Sequence, residues 1–280
     1  KYLRDLPRFA SSSGAFAVTL FLLMPSAVFS DFEPRVADLC TRFRIPLLTI
    51  DAHRRFYLRA CPRPLLNSPA VWRDYLGMRT ALVLMHRRGD LDIALSLFPL
   101  RTRSREAMCI LPPLLRTAAL SITPTPGDHL LIYHNSGGER EDIYAQCQGI
   151  PTRVYGYANQ SGGDETVGTV VFRKASSEGF LKDLASCRAY ASRAGFESVA
   201  EAMLLGKPCQ LVPQHRQYEQ RMNALHAARL GAVVTDRFDY AAAYHNNQRT
   251  LLDRSWLSSA HERFRELVRE LPERSELRLP

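Results

Sequence analysis

The sequence predicts an α/β protein made of two Rossmann-like domains, and three observations predict it. Short apolar runs ending at a polar residue alternate with segments of helical periodicity, the pattern of a mostly parallel sheet covered by helices. The 280 residues suffice for two domains of ordinary size. A proline-rich stretch, Leu111–Pro126, reads as the connection between them. The expected division is 1–120 and 121–280.

The elements follow in order. Ala27–Ser30 is a short apolar strand with Asp31 at its carboxyl end. Pro34 suits the first turn of a helix that runs to Phe43. Pro46–Ile50 is the next strand and ends at Asp51, residues 52–80 read as a loop with a short helix, and Ile93–Phe98 is a further strand. In the second half a Gly127-Asp128 turn leads into strand Leu130–Tyr133, a glycine-containing loop follows, and a helix starts near Glu139. Strands at Thr152–Tyr155, Thr169–Phe172, Ala189–Ser192, Cys209–Val212 and Ala232–Thr235 alternate with helices at Phe180–Ser186, Ser198–Leu205 and Glu219–Leu230. A charged helix from Ser258 to about Glu270 closes the second domain.

Composition narrows the class. The chain is 46% hydrophobic and 23% charged, a globular mixture. Its longest apolar stretch, Ala15–Phe29, is broken by Pro25 and falls short of the roughly 20 residues that span a bilayer. It reads as a buried helix followed by a buried strand, and no signal-peptide order precedes it. The six cysteines form no C-x-x-C pair and no zinc-like spacing. They read as reduced, buried thiols of a cytoplasmic protein. The net charge of +9 is lopsided: residues 1–127 hold 18 basic against 9 acidic residues, whereas 128–280 hold 19 of each. A solvated basic face explains this, or a face that meets an anionic membrane peripherally. Nucleic acid is not an expected partner, because no nucleic-acid motif and no aromatic–basic interleaving is present.

The chemistry concentrates between Arg193 and Asn223. Arg193-Ala194-Gly195-Phe196-Glu197-Ser198 joins a strand to a helix, and Glu201 lies one turn further on. Gly195 lets a backbone turn sharply and approach a ligand. Ser198 can cap the helix or donate its hydroxyl to phosphate. The free amides of a helix start suit a diphosphate, and a carboxylate placed like Glu201 can accept both ribose hydroxyls. Gly206, Pro208, Pro213, Glu219, Gln220 and Asn223 follow at fixed intervals.

This spacing resembles the donor-binding signature of inverting GT-B glycosyltransferases. That superfamily includes the UDP-glycosyltransferases and the N-acetylglucosaminyltransferase of peptidoglycan synthesis. Within it the chain is most similar to a group of prokaryotic glycosyltransferase-like proteins. The resemblance implies that Gly195 and Ser198, with neighbours Ala194 and Phe196, hold the donor phosphates, that Glu201 holds the ribose diol, and that Glu219 and Gln220 bond the sugar hydroxyls. It places Arg173 and Lys174, with Ala175, where the uracil ring is read, and Ser136 and Gly137 in a loop over the phosphates. Arg193 stands where the superfamily often has His and could neutralise phosphate. Glu197 replaces a neutral residue and is expected to point away, because it would repel phosphate. The resemblance implies a nucleotide-sugar donor, a lipid, saccharide or small-molecule acceptor, and neither cofactor nor metal.

A catalytic base is harder to place. His53 and His134 both follow predicted strand ends and are the candidates, each with a structural role as the blander reading. No glycine-rich loop precedes Ala27, where the superfamily carries its base, and the first residue is Lys. The first domain is therefore expected to be incomplete and the chain inactive in transfer by itself. A nucleotide-sugar hydrolase and a non-catalytic sugar-nucleotide-binding subunit are the rival readings.

Overall fold

A computed structural model describes residues 22–23, 25–58, 61–63, 68–85, 88–101, 108–134, 140–156 and 162–276. In chain order the elements are β1 (Val28–Ser30), α1 (Pro34–Phe43), β2 (Leu47–Asp51), a 3-10 turn (His53–Tyr57), α2 (Pro69–Met85), β3 (Leu91–Leu95), β4 (Met108–Leu111) and α3 (Thr117–Ser121). There follow β5 (Leu130–Tyr133), α4 (Arg140–Gln146), β6 (Thr152–Tyr155), β7 (Glu165–Val167), β8 (Val170–Phe172), α5 (Ser177–Ser186), β9 (Ala189–Ser192) and α6 (Phe196–Leu204). The chain continues through β10 (Cys209–Leu211), α7 (Tyr218–Ala228), β11 (Val233–Val234), α8 (Tyr240–His245), α9 (Arg254–Ser258) and α10 (Ala260–Glu276).

The chain divides into two compact units. The first contains residues 1–61, 79–112 and 259–280. Its described sheet is parallel, four-stranded and ordered β1-β2-β3-β4. Leu48, Leu91, Ile93 and Leu111 on that sheet pack against Leu267 and Leu271 of α10. Phe264, Leu267, Val268 and Leu271 recur at helical spacing, so one stripe of an otherwise charged helix faces the sheet. A buried charge cluster ties the carboxyl end of β2 to the amino end of β3. Arg54 reaches Asp51 at 3.2 Å and Asp92 at 2.9 Å, and Thr49 donates to Asp92.

The second unit contains residues 62–78 and 113–258. Its seven-stranded sheet has the order β11-β10-β9-β5-β6-β8-β7. All neighbours are parallel except the β7–β8 hairpin. The strands are near-continuous apolar runs, as a sheet covered on both faces requires; Leu130, Leu131, Ile132 and Val154 are all fully buried. From β5 the chain moves outward through β6 and β8, then returns to the other side of β5 as β9. The order therefore reverses between β5 and β9.

Several expectations need correction. The charged C-terminal helix does not close the second domain but packs on the first sheet, and residues 62–78 join the second unit. Residues 69–85, read mostly as loop, form a 17-residue helix with Pro69 in its first turn. Its apolar residues surround the axis without a clear stripe, which hid its periodicity. The segment read as a connector from Leu111 contains the last residue of β4 and the helix α3. The hairpin strand β7 and the helices α8 and α9 were not anticipated. Leu22 and Leu23, placed by sequence in a buried helix, are exposed. The remainder of that helix lies outside the described residues. All six cysteines are free thiols, and only Cys109 is not fully buried. Among the described residues no helix is long and apolar enough to cross a membrane.

Candidate functional site

In open α/β sheets ligands bind outside the carboxyl ends of the strands, where the strand order reverses. In the second unit that place is beside β5 and β9, and a cavity of about 600 Å3 lies there. Tyr133 at the end of β5 and Tyr155 with Gly156 at the end of β6 form one side. Phe180 of α5 packs edge-on against both tyrosine rings, at 5.5 and 5.4 Å between centroids. Glu197, Ser198 and Glu201 of α6 form the facing wall, and Leu114, Leu115 and Arg116 complete it.

Helix α6 begins because Gly195 adopts an extended conformation and the residues after it turn helical. No side chain caps this helix. Ser198, read as a possible cap, lies inside the first turn and lines the cavity instead. Gly195 has φ −69°, a conformation open to any residue, so the sharp-turn reading of this glycine does not hold. The preceding turn is fixed from α7: Asn223, 1% exposed, donates from Nδ2 to the Ala194 carbonyl at 2.8 Å. Asn223→Ala should remove this bond and strand a buried carbonyl, lowering stability by about 1–3 kcal/mol. Calorimetric unfolding reads this directly, and an unchanged melting temperature would remove Asn223 from that role.

Glu201 is largely buried and already engaged. Arg116 donates to it in a bidentate fork, Nε to Oε1 at 2.6 Å and Nη2 to Oε2 at 2.7 Å. The remaining nitrogen of Arg116 donates to the carbonyl and hydroxyl of Ser177. Glu197 corrects an expectation: it lines the cavity rather than facing away from it. It sits in the first turn of α6, where the positive end of the helix dipole favours a carboxylate.

Asp183 organises the side near α5. It is 4% exposed, accepts from Tyr155 at 2.8 Å, pairs with Arg173 at 3.2 Å and also pairs with Arg153. Burial pushes the Tyr155 phenol up to about 12, so it stays a proton donor. Arg173 also pairs with Asp164 at 2.7 Å, and the Lys174 amide donates to the same carboxylate. In that segment it is Ala175 that lines the cavity; Arg173 and Lys174 do not.

The other expected residues divide. Ala194 is fully buried and Phe196 nearly so, so only the backbone of this turn is on offer to a ligand. Arg193 stacks over the Phe238 ring at 4.9 Å, donates to the Val212 carbonyl and does not line the cavity. Glu219 and Gln220 start α7, which follows β10 and so begins at the same carboxyl edge. Neither lines the cavity, and Gln220 Oε1 accepts from the Gln214 amide at 2.8 Å. Ser136 and Gly137 lie outside the described residues. His134 is fully buried against Phe238, 5.2 Å between rings. His53, in the first unit, is partly exposed, stacks on Phe32 at 4.7 Å and has Nδ1 3.8 Å from Asp51 Oδ1. Among the described residues no group of three or more His, Cys, Asp or Glu is placed to hold a metal ion.

Sequence reasoning missed Arg116, Tyr133, Tyr155 and Phe180. The three aromatic residues read as ordinary core residues, and only the topology gathers them. Arg116 stood in a segment read as connector; a lone arginine among prolines and leucines was the available signal.

A doubly wound second unit with its cavity at the switch point, together with a first unit built on a parallel sheet, is the composition of the GT-B class. The sequence profile of glycosyl transferase family 1 matches residues 12–246. The chain belongs to that family and is a glycosyltransferase. The fold agrees with solved structures. LpCGTa in complex with UDP is 16% identical, with a TM-score of 0.62 over 97% of this chain and 78% of that one. Arabidopsis thaliana UGT89C1 is 15% identical, with a TM-score of 0.53 over 98% and 78%. The calicheamicin glycosyltransferase CalG4 is 19% identical, with a TM-score of 0.51 over 94% and 73%. No curated protein matches the chain significantly.

Proposed function

We propose that this glycosyltransferase moves a hexosyl group from a uridine-diphosphate sugar to a hydroxyl acceptor with inversion at the anomeric carbon. One observation carries the reading: the switch-point cavity is walled by Ser198 and Glu201 of one helix, with aromatic rings opposite. The rings of Phe180 and Tyr155 suit a base, Glu201 suits the ribose diol, and the positive end of α6 suits the diphosphate. The LpCGTa structure, of the same fold, holds UDP, which supports that donor. Glu219 and Gln220 are assigned to the sugar, with Gln220 Nε2 as the donor still available. Ser136, Gly137, Arg173, Lys174 and Arg193 keep their assignments around the nucleotide as part of this proposal, the last three by small shifts of their present partners.

In this reading the acceptor hydroxyl loses its proton to a base and attacks the anomeric carbon. The departing diphosphate is met by the positive end of α6, which favours the transition state. This chemistry requires no cofactor. His53 suits the base better than His134, because it is partly exposed and has a carboxylate beside it to stabilise the imidazolium. The acceptor is a lipid, a saccharide or a small molecule, and the basic excess in residues 1–127 suits work at an anionic membrane surface.

Incubation of the full chain with radiolabelled UDP-glucose and UDP-N-acetylglucosamine, with and without a panel of hydroxyl acceptors, tests this reading. Labelled, inverted product is expected only with acceptor, together with a raised melting temperature in UDP. Free labelled sugar without acceptor would assign a hydrolase. Neither binding nor turnover would remove the donor assignment.

A further inference from the structure

The second sheet has an opposite edge, and its groups differ in kind. Gly127 precedes β5, Arg188 precedes β9 and Pro208 precedes β10. A second cavity, of about 440 Å3, opens among these segments at the amino ends of the strands. It shares no lining residue with the cavity beside α6. Three of its lining side chains are cationic, Arg188, Lys207 and Arg249, and none is acidic. Residues 128–280 hold as many acids as bases, so this is a local arrangement and not the consequence of a basic half.

Lys207 is the anchor. It is 6% exposed, and its ammonium donates to the carbonyls of Thr125 at 3.0 Å and Cys187 at 2.9 Å. An ammonium has three donors, so one is left over, and no carboxylate among the described residues pairs with it. Burial lowers its pKa below the ordinary lysine value, and the positive charge of Arg249 lowers it further. Both arginines are exposed, and Arg188 is held by contacts of its own guanidinium. Arg188 donates from Nε to the Tyr244 carbonyl at 2.9 Å and stacks over the Tyr244 ring at 5.2 Å. Arg249 precedes Thr250, whose hydroxyl donates to the Lys207 carbonyl at 2.6 Å and pins that segment to the anchor. Stapling two carbonyls accounts for Lys207 alone. It does not account for two further cations around the same space without a counter-charge.

We propose that this cavity binds an oxyanion of the phosphate class, free or on a lipid headgroup, through Lys207 Nζ and the guanidinium groups of Arg188 and Arg249. A tetrahedral oxyanion presents acceptors in several directions at once. Guanidinium groups meet such oxygens in planar pairs, and an ammonium meets them as a point charge. The site stands independently of the donor reading, because it uses other residues at the other edge of the sheet.

Lys207→Met would strand the buried Cys187 carbonyl and endanger the fold, so Arg249→Glu and Arg188→Gln carry the test. Inorganic pyrophosphate is titrated calorimetrically into the full chain at low ionic strength, with UDP present to fill the first cavity. The wild type should bind it, and Arg249→Glu should weaken binding about tenfold or more, the worth of one charge-assisted contact. UDP affinity should stay unchanged in both variants. A chain that binds no UDP would end the donor reading and leave this comparison intact. In a second arm, phosphatidate vesicles are compared with phosphatidylcholine vesicles. Phosphatidate binding that is lost in the variants assigns the phosphate to a lipid, and pyrophosphate binding alone assigns it to a soluble ligand. Both outcomes support the site. Variants that bind every probe as the wild type does, or a wild type that binds none, overturn it.

Discussion

Replacing Glu201 and replacing Arg116 should move nucleoside affinity in opposite directions. The two side chains form one bidentate pair, with Glu201 largely buried and Arg116 about one-third exposed. A ribose diol approaching Glu201 needs the same two oxygens that Arg116 now occupies. Glu201→Ala removes the acceptor and should weaken UDP binding by about 1–3 kcal/mol, roughly tenfold to a hundredfold. Arg116→Ala removes the competitor. Uridine isolates that effect because it carries no phosphate to which a freed guanidinium could respond. Its affinity should rise about threefold to tenfold, since the observed constant is the intrinsic one divided by the fraction of open sites. The lower end allows for the screening of a partly exposed arginine. Titration calorimetry with uridine and UDP on both variants reads all four numbers. A fall in uridine affinity in Arg116→Ala would make Arg116 a support that orients Glu201, and would end the competition argument.

Much of this site was legible because its parts are close in sequence. Gly195, Ser198 and Glu201 lie within seven residues, in the turn after β9 and the helix that follows, whose period is visible locally. The helix after the glycine and the carboxylate one turn on are local features of the sequence, whereas the hold of Asn223 on the Ala194 carbonyl spans 29 residues and shows only in the fold. The partner of Glu201 could not. Arg116 lies 85 residues earlier, in a proline-rich stretch with no periodicity to give it a direction. The destination of α10 was equally hidden. Its apolar stripe at Phe264, Leu267, Val268 and Leu271 is plain in the sequence, but nothing local says which sheet it covers, and the chain returns to the first sheet after the whole second unit. Glu197 was misjudged because a carboxylate was weighed only against phosphate. In the fold it sits in the first turn of α6, on the positive end of a helix, where a carboxylate is favoured.

A large loss of stability is expected from Gly156→Ala. Gly156 ends β6 and lines the α6-side cavity with φ +98°, a region side chains rarely occupy. A Cβ built there would lie 1.9 Å from the His134 carbonyl oxygen and 2.7 Å from its carbonyl carbon. Both are backbone atoms just beyond β5, so no rotamer change relieves the contact. His134 cannot retreat: it is fully buried against Phe238, and its amide is bonded to the Tyr155 carbonyl at 2.9 Å. Positive φ costs about 1–3 kcal/mol for a residue with a side chain, and overpacking adds about 1–3 kcal/mol more. A loss of about 3 kcal/mol or more follows, from a domain stable by only about 5–15 kcal/mol. At about 2–4 °C per kcal/mol the melting temperature should fall by roughly 10 °C. The only escape is to spread the carboxyl ends of β5 and β6, which carry Tyr133 and Tyr155 and form the wall of the cavity. UDP affinity should therefore fall together with stability, even at a temperature where the variant is still folded. Scanning calorimetry and a UDP titration on Gly156→Ala decide it. A melting temperature within about 2 °C of the wild type would show that these strand ends yield, and the rigid wall assumed for the nucleotide would have to be abandoned.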